Sequence, residues 1–143
     1  ILKIQQNRGQ YLMIDYATNV LPGHYSKGYK DLKDDWFFDI HWPSDPNMPG
    51  MLQIEAMVQM ASLSILSLEG NSGKVMYLTA ANNLKFYKKI LRGNRLYLET
   101  KVIKWKRGIG EFEGKGFIDN EIACKAEFNL ILPDFLKKYS VRS

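Results

Sequence analysis

The chain has very few cysteine and histidine residues: one cysteine, Cys124, and two histidines among 143 residues. A single cysteine cannot form a disulfide within the chain, which favours a reducing compartment, and we therefore expect a cytoplasmic protein. No His, Cys and Asp residues are spaced as metal ligands, and no glycine-rich segment has the context of a phosphate-binding loop. We expect the protein to use no metal and no other cofactor of its own.

Long hydrophobic runs, repeats and linkers are also absent. No apolar run reaches the about 18 to 20 residues that a membrane-spanning helix requires. The length suits one domain with a substantial core, so we expect a single domain over residues 1–143, with 134–143 as a short C-terminal extension after Pro133. The formal net charge of +5 favours an acidic partner without identifying it.

The segment from Met51 to Ser67 is apolar or small at nearly every position. This pattern predicts a helix that is enclosed on all sides by the rest of the fold. Glu55, Gln59 and Ser62 interrupt it at positions i, i+4 and i+7, which places them along one face of the helix. A buried carboxylate without partners is costly, so Glu55 must be paired, hydrated or functional.

The remaining segments predict five to seven mainly antiparallel strands. The predicted strands are Tyr11–Tyr16 and His24–Leu32, joined as a hairpin by Pro22 and Gly23; a short buried strand at Lys74–Ala81; and Arg95–Trp105, Ile109–Ile118 and Glu121–Leu132, the last two joined by a tight turn at Asp119 and Asn120. A flat sheet would cover only one side of a helix that is apolar all round. The sheet must therefore curl around it, which is the α+β hot-dog fold, and a second subunit would close the remaining side.

The segment that leads into this helix carries a family resemblance. The pattern His41-Trp42-Pro43-x-x-Pro46-x-Met48-Pro49-Gly50-x-Leu52-x-x-Glu55-Ala56-x-x-Gln59 resembles the active-site signature of the 3-hydroxyacyl-[acyl-carrier-protein] dehydratases of the FabZ type. Weaker matches extend the resemblance over most of the chain from Arg8 to Leu132, at Tyr11–Asp15, Lys74–Tyr77, Asn83–Phe86 and Arg92–Gly93. The departures are Ile40 and Ser44 in place of glycines, Asn7 in place of a histidine, and Arg92 and Asn94 in place of proline and aspartate. Ile40 and Ser44 are expected to reshape the loop near the reacting carbons and to affect which acyl chains are accepted.

The resemblance implies a dehydration in which each motif residue has a role. His41 would take the C2 proton of the 3-hydroxyacyl thioester, and Glu55 would protonate or position the leaving hydroxyl group. Gln59 would orient Glu55, and the backbone N–H of Gly50, at the helix N-terminus, would polarise the thioester carbonyl. The resemblance also implies that His41 and Glu55 of one site come from different subunits, so that a homodimer is the smallest active unit; a trimer of dimers stays open.

The same resemblance implies an acyl tunnel and a docking surface. Tyr77 matches a position thought to gate the tunnel, and Met51 and Phe86 would line it, although core packing is the alternative for all three. The acyl chain would arrive on the phosphopantetheine of an acidic acyl carrier protein, and no nucleic acid is expected. Its docking patch would comprise Lys85, Lys88, Lys89 and Arg92, for which a solvated strand end is the alternative reading.

Two other functions remain open from the sequence. In a hot-dog thioesterase, Glu55 would activate water or attack the thioester, but such an enzyme would not require a histidine fourteen residues earlier. A non-catalytic acyl-binding subunit is supported only by the changes at Ile40 and Ser44. The Asp/His motif expected of a CoA-linked hydratase is not found, and glutamate at position 55 favours dehydration without isomerisation.

Overall fold

The computed structural model describes residues 12–33, 35–40 and 44–133, without the side chains of residues 39 and 40. Its six strands form one antiparallel sheet in the order β1-β2-β4-β5-β6-β3. The elements are β1 Tyr16–Leu21, β2 Tyr25–Asp31, α1 Phe37–Ile40, α2 Gly50–Leu66, β3 Tyr77–Phe86, β4 Arg95–Lys106, β5 Ile109–Ile118 and β6 Glu121–Ile131. Helix α2 packs against β1, β2, β4, β5 and β6. This confirms the α+β hot-dog fold.

Helix α2 forms the centre of the core, as its composition predicts. It begins at Gly50, directly after Pro49, and residues 53–66 are buried except for the partly buried Glu55. Met51, at the start of the helix, is 70% exposed. No helix among the described residues is long and apolar enough to cross a membrane.

Strands β4, β5 and β6 follow the predicted alternation closely. Leu96, Leu98 and Thr100 of β4 are buried while the residues between them are exposed, as a strand with one face on a core requires. Asp119 and Asn120 join β5 to β6 with φ values of 50° and 67°, which is typical of the two central residues of a tight hairpin turn. These three strands and their turn are confirmed.

The first predicted strand is wrong in its position. The strand begins at Tyr16 and continues to Leu21, whereas Leu12 to Ile14 lie outside any strand. Met13 and Ile14 are buried, and the Met13 N–H donates its hydrogen bond to a side chain of α2. The apolar residues of this segment therefore cover the helix and do not extend the sheet; Tyr11 lies outside the described residues.

The predicted strand Lys74–Ala81 is wrong in both its limits and its burial. Strand β3 runs from Tyr77 to Phe86 and is mostly exposed, because within the described part of the chain it pairs only with β6. Its register with β6 shifts between Asn82 and Lys85, where Asn83 has a φ of 52°. Strand β3 is thus a long, bulged edge strand with apolar side chains in contact with solvent.

A close approach of α2 to β2 fixes the position of the helix on the sheet. A Cβ atom on Gly28 would lie 2.0 Å from the Tyr16 carbonyl oxygen and 2.7 Å from Met60 Cε, so only glycine fits there. The Ser26 hydroxyl donates a hydrogen bond to the Met60 carbonyl, and Thr100 Oγ1 donates to the Ser26 carbonyl at 3.0 Å. Buried polar groups therefore fix the helix against the sheet as well as apolar contacts.

Candidate active site

The carboxylate of Glu55 is held by a chain of two hydrogen bonds. Gln59 Nε2, one helical turn away, donates to Glu55 Oε1 at 2.8 Å. The Met13 N–H donates to Gln59 Oε1 at 2.7 Å. Because one end of the Gln59 amide must accept and the other must donate, the Met13 N–H and the Glu55 carboxylate fix which way the amide points. Gln59 itself is 1% exposed, so Glu55 is supported from the core side.

A cavity of about 260 Å³ lies beside Glu55, and we call it the Glu55 cavity. Helix α2 and the segment that enters β3 form its walls. The lining residues are Glu55, Val58, Gln59, Ser62 and Leu66 from the helix, with Lys74, Val75, Met76, Tyr77 and Leu78 opposite. The polar stripe predicted from the sequence therefore faces a cavity whose other walls are largely apolar. Such a space suits an elongated apolar group with a polar reacting end.

A second space lies at the start of α2, and we call it the Gly50 cleft. Its volume is about 470 Å³, and it is lined by Asn47, Met48, Gly50, Gln53, Phe86, Tyr87, Lys88 and Lys89. A Cβ atom on Gly50 would lie 2.9 Å from Phe86 Cζ, so the aromatic ring packs directly against the first residue of the helix. The first N–H groups of a helix have no partners within it and carry partial positive charge. The Leu52 and Gln53 N–H groups donate to the Pro49 carbonyl, so the Gly50 N–H is the candidate donor to an electron-rich oxygen in the cleft.

The structure divides the predicted site residues between these two spaces. Glu55, Gln59 and Tyr77 line the Glu55 cavity, whereas Gly50 and Phe86 line the Gly50 cleft. Five helical positions separate Gly50 from Glu55, which rotates them by about 140° around the axis. One chain alone therefore does not direct them at the same space.

Other predicted residues lie outside both spaces. Met51 is exposed and lines neither, so its role in a tunnel stays a prediction. His41 lies outside the described residues, and of the two replaced glycine positions, Ile40 ends α1 and Ser44 is exposed.

The four residues predicted for docking do not form one continuous surface on this chain. Lys88 and Lys89 line the Gly50 cleft. Lys85 precedes Phe86 on β3 and pairs with Lys125, and because side chains alternate along a strand it lies on the sheet face away from α2. Arg92 is exposed, with its guanidinium 5.5 Å from the centre of the Phe38 ring.

Sequence reasoning missed several residues of the site. Lys74 lines the Glu55 cavity, Gln53 lines the Gly50 cleft, and Met13 contributes through its backbone alone. A backbone donor leaves no signal in residue type, whereas Gln53 could have been noted as a second buried amide on an apolar helix. Within the described residues, no three His, Cys, Asp or Glu side chains are grouped as metal ligands.

Comparisons with known proteins agree with this architecture. Residues 7–127 match the family model described as FabA-like domain. The 3-hydroxyacyl-[acyl-carrier-protein] dehydratase FabZ of Bacillus subtilis is 33% identical over 133 residues, covering 92% of this chain and 94% of the relative. The FabZ of Alkaliphilus metalliredigens is 37% identical over 137 residues, covering 94% of this chain and 93% of the relative.

A solved structure agrees on the fold alone. The dehydratase heterocomplex ApeI:P from Xenorhabdus doucetiae matches with a TM-score of 0.76 at 14% identity, covering 96% of this chain and 93% of that chain. The fold and the carboxylate on its central helix define a hot-dog protein of the FabA-like class. Within that class, the chain belongs to the FabZ-type 3-hydroxyacyl-[acyl-carrier-protein] dehydratase family, as its motif residues indicate.

Proposed function

We propose that this protein dehydrates a 3-hydroxyacyl thioester on acyl carrier protein to the trans-2-enoyl thioester, in fatty acid or related acyl-chain biosynthesis. The observation that carries the proposal is the hydrogen-bonded chain from Met13 through Gln59 to Glu55, beside a cavity whose opposite wall includes apolar side chains. A carboxyl group held in this way is oriented for proton transfer to a substrate whose acyl chain occupies the cavity.

The proposed reaction removes one proton and one hydroxyl group from adjacent carbons. His41 takes the proton from C2, and the carboxyl group of Glu55 gives a proton to the C3 hydroxyl, which leaves as water. The Gly50 N–H stabilises the negative charge that develops on the thioester oxygen. The proton on His41 then returns to Glu55 through solvent or product water, which restores both groups.

The separation of Gly50 from Glu55 supports a homodimer as the active unit. Strand β3 is an open edge, and Leu78, Leu84 and Phe86 on it are 39% to 49% exposed. If two copies pair their β3 edges antiparallel about a twofold axis, the Phe86 end of one strand meets the Tyr77 end of the other. The Gly50 cleft of one subunit then adjoins the Glu55 cavity of its partner, and a complete site forms twice. A trimer of dimers stays a prediction.

Within this dimer, the two spaces have different tasks. The acyl chain occupies the Glu55 cavity, with Tyr77 at its wall as the gate, and Phe86 borders the thioester beside Gly50. Lys88 and Lys89, at the rim of the Gly50 cleft, meet the acidic carrier protein, with Lys85 and Arg92 further out.

We also propose that the enzyme needs no cofactor and works in the cytoplasm. Abstraction of a proton and loss of water require only acid, base and hydrogen-bond donors, all of which the motif supplies. The single cysteine, Cys124, is buried, which is compatible with a reducing compartment.

The test is an assay of the purified protein with 3-hydroxyacyl thioesters of several acyl lengths. We expect formation of the enoyl chromophore without release of free thiol, and its loss in His41→Ala and Glu55→Gln, while the fold and the dimer persist. Thiol release without an enoyl product would show a thioesterase. Binding without any turnover would show a non-catalytic acyl-binding subunit.

A further inference from the structure

An exposed ion pair connects the loop before helix α2 to the lysines that follow strand β3. Lys89 Nζ lies 2.7 Å from Asp45 Oδ2, and both side chains are more than half exposed. Asp45 lies in the loop formed by residues 44–49, directly before Gly50, whereas Lys89 lines the Gly50 cleft and belongs to the proposed docking surface. The cation that a carrier protein would contact is thus already engaged by a carboxylate of the same chain.

The same loop is anchored more firmly three residues later. The Met48 N–H donates to the Ile90 carbonyl at 2.8 Å, and Gln53 Nε2 donates to the Met48 carbonyl at 2.9 Å. Met48 is fully buried. The hydrogen bond from Asn47 Nδ2 to the Asp45 carbonyl stays within the loop and does not tie it to the rest of the fold. The loop therefore has one buried anchor at Met48 and one exposed contact at Asp45.

We propose that Asp45 competes with the carboxylates of the carrier protein for Lys89, so that docking frees the first part of this loop while Met48 stays in place. The inference rests on the proposed function, because it takes the carrier protein as the occupant of the basic surface. An exposed ion pair contributes little to stability and is easily exchanged for another carboxylate. Since Asp45 lies four positions after His41, docking and the segment that carries the proposed base become coupled.

If the proposal is right, removing the carboxylate of Asp45 improves binding of the carrier protein. Asp45→Asn is expected to lower the KM for carrier-bound substrate by about two- to fivefold, the range that one exposed ion pair supplies. The KM for the same acyl group on a small thiol is expected to change little, so the ratio of the two KM values falls. Glu113→Gln is the control, because it makes the same change in net charge at a partly exposed cluster formed with Lys101 and Lys115.

A double-mutant cycle shows whether Asp45 acts through Lys89 or through its negative charge alone. Lys89→Met is expected to raise the KM for carrier-bound substrate, and Asp45→Asn added to Lys89→Met is expected to have no further effect on it. Hydrogen exchange gives a second readout: on adding the carrier protein, the amides of residues 44, 45 and 47 gain no protection while the Met48 amide stays protected.

Three results would overturn the proposal, and each is distinguishable from failure of the proposed function. If Asp45→Asn lowers the KM ratio equally in the Lys89→Met background, or if Glu113→Gln does the same, Asp45 is not a competitor for Lys89. If exchange at residues 44–47 slows on docking, the loop is not released. If the wild-type protein dehydrates neither substrate, the proposed function itself is wrong and this inference falls with it.

Discussion

At the scale of single residues, Gln59 connects two segments that are 46 positions apart in the chain. Its amide accepts from the Met13 backbone and donates to Glu55, so the carboxylate is positioned by the covering segment as well as by its own helix. In the proposed reaction, Gln59 would therefore act through Glu55, as a positioning residue.

Replacing Gln59 tests that role. Gln59→Met removes the hydrogen bonds to Met13 and Glu55 at similar volume, and we expect kcat for dehydration to fall about 10- to 100-fold because Glu55 loses its orientation. The Met13 N–H becomes a buried donor without a partner, which is expected to lower the free energy of unfolding by about 1–3 kcal/mol. Steady-state kinetics and denaturant unfolding measure the two effects.

The control for this substitution is Ser64→Ala. Ser64 is also buried on α2, but its hydroxyl donates to the Ala61 carbonyl and the residue lines neither space of the site. We expect a modest loss of stability and an unchanged kcat. A similar fall of kcat in both variants would mean that any weakening of the helix impairs the reaction.

Cys124 allows a prediction about chemical reactivity. Burial raises the pKa of the Cys124 thiol to about 12, so hardly any thiolate is present near pH 8. Because the thiolate is the reactive form, alkylation of the native protein is expected to be far slower than that of a free cysteine, and to become fast in denaturant. Mass spectrometry after timed alkylation measures both rates; rapid labelling of the folded protein would contradict the buried position.

At the scale of elements, α2 and the strands β4 to β6 could be predicted because their periodicity is local. An all-apolar helix and alternating strands with a tight turn each carry their own signal. The limits of β1 and β3 could not be read in this way. Leu12 to Ile14 look like a strand in the sequence. In the fold, Met13 and Ile14 are buried in the core, and the Met13 N–H donates to Gln59 of α2. Strand β3 looks buried, but its place at the edge of the sheet depends on the order of all the strands.

The two edges of the sheet allow a matched test of the dimer. Leu84 on β3 is 39% exposed, and Val20 on β1, at the opposite edge, is 38% exposed. Leu84→Glu places a charge in the proposed interface, where its desolvation is costly, so we expect loss of the dimer and of dehydration together. Val20→Glu is expected to change neither.

Sedimentation at several protein concentrations, with activity measured on the same samples, gives the result. A Leu84→Glu variant that stays dimeric and active would place the interface elsewhere. A monomer with full activity would show that one chain forms a complete site.

At the scale of the whole molecule, the motif predicted the residue types of the site but not their arrangement. The spacing of Gly50 and Glu55 along the sequence gives no sign that they face different spaces, because that depends on where the helix lies against β3. The arrangement of the basic residues was not predicted either. Lys85 lies on β3, whereas Lys88 and Lys89 follow the end of the strand at Phe86, so these neighbours in sequence lie on different faces.

The net charge of +5 leads to a prediction about salt. If the carrier protein is attracted through exposed lysines, the KM for carrier-bound substrate is expected to rise several-fold from low to high ionic strength, since screening shortens the range of such attraction. The KM for a small uncharged thioester is expected to stay nearly constant. An equal rise for both substrates would mean that salt acts on the active site and not on docking.

The bulge of β3 affects how readily the exposed edge of the sheet pairs with other chains. A long, straight edge with exposed apolar side chains would recruit any extended chain and start aggregation, but the turn of the backbone at Asn83 breaks its regular array of donors and acceptors. Only a strand with a complementary irregularity can match this edge over its full length, and a second copy of the same chain has one. In the proposed dimer, the irregularity would therefore favour pairing with a second copy of the chain over indiscriminate strand addition.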